Sequence, residues 1–134
     1  MDSTRSPLAH GIAGFLVLFS ASSSFANTCI DIPLKPVQHI CGIVMNQANE
    51  RISNARLTLI KGGAELITIE TDAGGRFDFK EVAAGEYVLR ASMPGYNQVQ
   101  SPIKVVKPTK KCKQALNVVL PVTSCGGGIG QHRQ

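Results

Sequence analysis

The chain has 134 residues, no tryptophan, 5% aromatic residues and a net charge of +5. That length suits one domain and is too short for two, so a single domain is expected. The basic balance without interleaved aromatics also argues against a nucleic-acid binder.

The first 26 residues read as a secretory signal peptide. Arg5 supplies a positive start, residues 12–19 (Ile-Ala-Gly-Phe-Leu-Val-Leu-Phe) form an apolar run, and Ser24 and Ala26 place small residues before a cleavage point. The run falls well short of the about 20 residues that span a bilayer, which disfavours the alternative of a retained anchor. Asn27 and Thr28 separate the small residues from Cys29, so a lipid-anchored cysteine is not expected. Cleavage removes one acid (Asp2) and one base (Arg5) and leaves the net charge unchanged.

Residues 27–37 carry Pro33 and Pro36 with little periodicity and are predicted as an extended arm. Seven strands are then expected in the domain spanning 38–121: residues 38–45, 55–61, 65–71, 76–80, 86–92, 98–106 and 114–120. Valine, isoleucine, threonine and aromatics dominate these runs, and no sustained helical period follows the leader. The breaks carry turn residues: Gly62-Gly63, Asp72-Ala73-Gly74-Gly75, Ala84-Gly85 and Pro94-Gly95. Pro102 suggests a bulge or an edge position for the sixth strand. Seven short strands at this spacing predict an all-β, antiparallel-rich sandwich of two sheets. Its expected core is Ile40, Val44, Leu57, Leu59, Ile67, Ile69, Phe77, Phe79, Tyr87, Leu89, Val105, Leu116 and Val118. Residues 122–134, with Cys125 and several glycines, are predicted as a flexible tail.

The four cysteines, Cys29, Cys41, Cys112 and Cys125, all follow the leader, and an even count there reads as two disulfides formed in an oxidising compartment. No Cys-x-x-Cys pair points to metal. Cys112 and Cys125 flank a strand about 23 Å long at about 3.3 Å per residue, whereas a bridge needs Cα atoms within about 7 Å. If the first and last strands run parallel as neighbours, Cys41 meets Cys112 and Cys29 joins Cys125. If they run antiparallel, Cys41 faces Cys125. The parallel arrangement is preferred.

The ordered set Gly42-x-Val44, Ala55-x-Leu57-x-Leu59, Thr71-Asp72-x-x-Gly75-x-Phe77-x-Phe79, Gly85-x-Tyr87-x-Leu89 and Pro94-Gly95-Tyr96 resembles the carboxypeptidase regulatory-like domain, a transthyretin-like sandwich. The resemblance implies the fold and says little of function. In it, Asp72, Gly75, Gly85 and Gly95 are turn positions, while Phe77, Phe79, Tyr87 and Tyr96 fill volume between the sheets. The same sandwich supports a hydroxyisourate hydrolase family with a Tyr-Arg-Gly-Ser tail. This chain reads Gly-Gln-His-Arg-Gln at 130–134, so that activity is not expected. Related sandwiches form isopeptide crosslinks promoted by an acid, but Ala91 stands at the corresponding position here.

After the leader only His39 and His132 remain as histidines, with no nucleophile or metal motif around them, so no enzyme, cofactor or metal site is expected. Glu70, Asp72, Asp78 and Glu81 flank one turn, but strand alternation divides them, and calcium takes six to eight oxygens. Lys104, Lys107, Lys110, Lys111 and Lys113, with no acid between them, form a basic contact loop or a soluble sheet edge. These features predict a secreted, non-enzymatic interaction or structural module of a bacterial periplasm or extracellular space, not membrane-spanning once the signal is cleaved. Its expected partner is an envelope or extracellular protein, with an acidic polysaccharide as a further candidate. A carbohydrate-binding module of the same sandwich type is the alternative.

Overall fold

Residues 34–123 and 126–131 are described by a computed structural model of the chain, and every regular element within them is a strand. In chain order these are β1 (Cys41–Asn46), β2 (Arg56–Lys61), β3 (Ala64–Glu70), β4 (Arg76–Asp78), β5 (Gly85–Ser92), β6 (Val99–Val105), β7 (Leu116–Leu120) and β8 (Gly128–Gln131). They form two four-stranded sheets, ordered β4-β1-β7-β8 and β3-β2-β5-β6. All pairings are antiparallel except β1 with β7, which run parallel in the register Gly42↔Leu116 to Asn46↔Leu120.

Period-2 alternation accounts for the core. On β5, Tyr87, Leu89 and Ala91 are buried while their neighbours are not; on β7, Leu116, Val118 and Leu120 repeat the pattern. These side chains meet Val44 of β1 and Leu57 and Leu59 of β2 in one cluster with Ile40, Phe77, Phe79 and Val105. Full burial of each leucine contributes roughly 1.5–3 kcal/mol. Phe77 and Phe79 pack edge to face at 6.3 Å between centroids.

Two glycines are required by close approach. A Cβ on Gly42 would collide with the Leu116 carbonyl of the parallel neighbour. Gly75 holds φ 72°, in the left-handed region, where a Cβ would also press on the Val44 carbonyl.

The fold departs from the sequence expectation in several places. An eighth strand, β8, pairs antiparallel with β7 through residues predicted as tail, Leu116↔Gln131 to Val119↔Gly128. Its glycines show no side-chain alternation, so only the neighbouring strand's hydrogen-bonding edge reveals it. Gln131 also binds the arm, accepting from the Lys35 N–H at 3.1 Å and donating to the Lys35 carbonyl at 2.8 Å. The described end of the arm belongs to the domain as well, since Val37 is buried and bridges in parallel to Val105. Ile67 is 38% exposed and Ile69 half-buried, against the expectation that both are core. They lie on an edge strand of seven residues, while β4, at the corresponding edge of the other sheet, has three and covers little. Pro102 sits on β6, the other edge strand of its sheet, where no second partner needs its missing N–H.

The parallel β1–β7 pair brings Cys41 and Cys112 together as a disulfide with Cα atoms 6.0 Å apart. Cys29 and Cys125 lie outside the described residues. The bridge closes a loop of sequence separation 71. Replacing both residues (Cys41→Ala with Cys112→Ala) is expected to cost about 2–5 kcal/mol in urea-unfolding free energy. An unchanged midpoint would show that the bridge adds no constraint.

Candidate functional site

Two surfaces stand out, one basic and one apolar at an edge. The basic one is built on the connection from β6 to β7. Lys104 lies on β6 and Lys107, Lys110, Lys111 and Lys113 on the loop that follows; all five are exposed. The loop is tied down repeatedly. Val106 N–H donates to the Val37 carbonyl at 2.9 Å and Thr109 N–H to the Gln38 carbonyl at 3.0 Å. Cys112 is bonded to Cys41. Between arm and loop lies a cleft of about 470 Å³ whose lining includes Gln38, His39, Lys107, Lys111, Lys113 and Gln114.

His39 cross-links this corner. It is only 7% exposed. Its Nδ1–H donates to the Thr109 carbonyl at 2.7 Å, and its Nε2 faces the Asp78 carboxylate at 2.5 Å. One ring thus joins the start of β1, the end of β4 and the basic loop. Both ring nitrogens are engaged within the fold. The sequence marks this histidine only as a lone residue. Its two partners, 39 and 70 positions away, come together through tertiary structure.

The second surface is the edge at β3 and β4. Leu66 is 53% exposed beside Ile67, and no described segment pairs with the outer side of β3. A groove of about 590 Å³ runs along this edge, lined among others by Ile69, Glu70, Arg76, Phe77, Asp78 and Lys80. The sequence signal was the run Leu66-Ile67-Thr68-Ile69, which breaks the alternation of a half-buried strand.

The remaining positions singled out from the sequence serve the frame. Asp72 Oδ1 accepts from the N–H groups of Gly74 and Arg76, each at 2.9 Å. The Arg76 N–H, then that of Gly74 and the charges of Arg76 and Arg51, hold the Asp72 carboxyl below the usual carboxylate range. Gly85 opens β5, and Gly95 takes a positive φ of 91° in the turn after it. The Tyr87 hydroxyl donates to the Ala83 carbonyl at 2.7 Å, and its buried ring lies under Lys61 Nζ. Tyr96 is half-buried against the core. No group of three or more metal-ligating side chains occurs among the described residues, and no helix there is long and apolar enough to cross a membrane.

The model of the carboxypeptidase regulatory-like domain matches residues 39–121. The chain belongs to the carboxypeptidase regulatory-like domain family. No curated protein matches it. Among solved structures it is similar to 5-hydroxyisourate hydrolase of Klebsiella pneumoniae, at 15% identity and a TM-score of 0.54, over 71% of this chain and 99% of that one. At that identity the likeness is one of fold, the transthyretin-like sandwich.

The lowered Asp72 carboxyl stabilises the fold above the ordinary carboxylate pKa of about 3.9, and that contribution is lost as pH falls through its folded value. Asp72→Asn keeps an acceptor oxygen and removes the charge. Thermal unfolding between pH 7 and pH 2 is expected to show the native protein ahead at neutral pH and the gap closing in acid. A gap independent of pH would mean that the charge contributes nothing.

Proposed function

We propose that this domain is an exported, non-enzymatic interaction module that docks an extended segment of an extracytoplasmic protein by strand addition at β3. The unpaired outer edge of β3 is the observation that carries the reading. Its seven residues contain no proline and no lysine, and the register shift opposite Leu59 and Ile60 makes Leu66 the bulged residue of the strand. An added strand would complete its backbone hydrogen bonds. Exposed Leu66 and Ile67 lie between Glu65 and Glu70, which fits a segment with apolar residues flanked by bases. The leader sequence and the Cys41–Cys112 disulfide support an oxidising, non-cytoplasmic location.

The non-enzymatic reading rests on His39, whose two nitrogens are both bonded within the fold. Sugar binding by ring stacking has less support. Phe77, Phe79 and Tyr87 are buried and Tyr96 is half-buried, so none offers the exposed face that stacking needs.

Intact mass of protein exported by a bacterial host is expected to begin at Asn27. Hydrogen exchange then tests the edge, with a synthetic Lys-Val-Thr-Val-Thr-Lys peptide as probe. Amides of residues 64–70 are expected to gain protection, and Leu66→Lys to weaken the peptide about tenfold, or about 1.4 kcal/mol. Protection confined to other strands, or an unaffected Leu66→Lys variant, would rule out docking at β3.

A further inference from the structure

We infer that the cleft between residues 36–39 and the β6–β7 loop binds an acidic polysaccharide, using Lys107, Lys111 and Lys113 as its cationic contacts. This surface is separate from β3, and the inference stands whether or not β3 docks a peptide.

Charge comes first. Among the described residues, three lysines line the cleft and no carboxylate does. Among the described residues none of the five lysines from Lys104 to Lys113 has an ion-pair partner, and the one nearby acid on this corner, Asp78, is engaged with His39. Their mutual repulsion is therefore unrelieved within the domain, and a polyanion would relieve it.

Preorganisation comes second. Lysines on a free loop lose conformational entropy when a ligand fixes them, which erodes affinity. Here the backbone is already fixed, by Val106 and Thr109 on the arm, by His39 on the Thr109 carbonyl and by the Cys41–Cys112 bridge. Thr109 Oγ1 also donates to the Lys111 carbonyl at 3.2 Å. Lys107 itself is held at φ 46°, in the left-handed region that lysine seldom adopts. The surrounding contacts thus impose a backbone conformation that the local sequence would not choose.

The lining then selects the class of ligand. Gln38 and Gln114 place neutral amides among the cations. Amides exchange hydrogen bonds with hydroxyls, and ammonium groups pair with carboxylates or sulfates, so the set matches a polymer that alternates the two. Pro36 and Val106 are the only apolar lining residues among those described. A protein partner would need a deeper apolar or aromatic pocket for its anchor side chains. Recognition here would go through charge and hydrogen bonding, without ring stacking.

The test is calorimetric titration of the full exported protein with polygalacturonate as probe. Neutral dextran, inorganic phosphate, poly-glutamate and phosphatidylglycerol vesicles are run beside it at matched charge. Two triple variants of equal charge loss are compared, Lys107→Gln/Lys111→Gln/Lys113→Gln in the cleft and Arg51→Gln/Arg56→Gln/Lys61→Gln elsewhere, with folding of each checked by circular dichroism. Salt-sensitive binding of polygalacturonate is expected, with a loss of about tenfold or more in the cleft variant, a reduced salt slope and little change in the distant variant. Equal losses in the two variants would reduce the effect to net charge and overturn the site. Equal binding of dextran, or competition by phosphate at the same charge concentration, would overturn the polymeric anion. Poly-glutamate or vesicles binding as well as polygalacturonate would overturn the polysaccharide assignment.

Discussion

The parallel pairing of β1 with β7 is the constraint around which the remaining strands are arranged. Parallel neighbours cannot be joined by a tight turn, so the chain must travel a long way between them. Here that journey comprises the whole second sheet and β4. Three local features make the closure work. Gly42 lets the β7 backbone approach, Cys41–Cys112 ties the ends of the excursion, and β4 occupies the other side of β1. The His39 bonds to Asp78 and Thr109 then lock the corner where β1, β4 and the returning loop converge.

The resulting sandwich has two unlike sides. On one, β6 packs on β8, the arm bridges to β6 and Gln131 clasps Lys35. On the other, a long β3 overhangs a three-residue β4. The closed side holds a loop under several constraints and displays cations from it. The open side presents backbone hydrogen-bonding groups and two apolar side chains. The domain thus has two faces of different chemistry, one suited to charge and one to strand pairing. The fold shared with a hydrolase carries no chemistry by itself.

What could be read from the residues was whatever alternation and turn chemistry encode locally. Leu57 and Leu59, Phe77 and Phe79, and Tyr87 and Leu89 each announced an inward face, and Asp72 with Gly75 announced the turn between strands. Ile67 and Ile69 carried the same signal and misled, because alternation says which face a side chain takes and not whether anything covers that face. Conversely β8, Gly-Ile-Gly-Gln, carried no signal, since its strand character comes from the edge of β7.

The sequence by itself therefore determined the first seven strands, the sandwich class, the four cysteines and the run of lysines, because these depend on short-range pattern and composition. Tertiary structure alone decided which strand became an exposed edge, which histidine became a clamp and which lysines share a cleft. Those outcomes join residues such as His39, Asp78 and Thr109, whose separations in the chain exceed the reach of any local rule. Only the pairing order of the strands brings them within hydrogen-bonding distance.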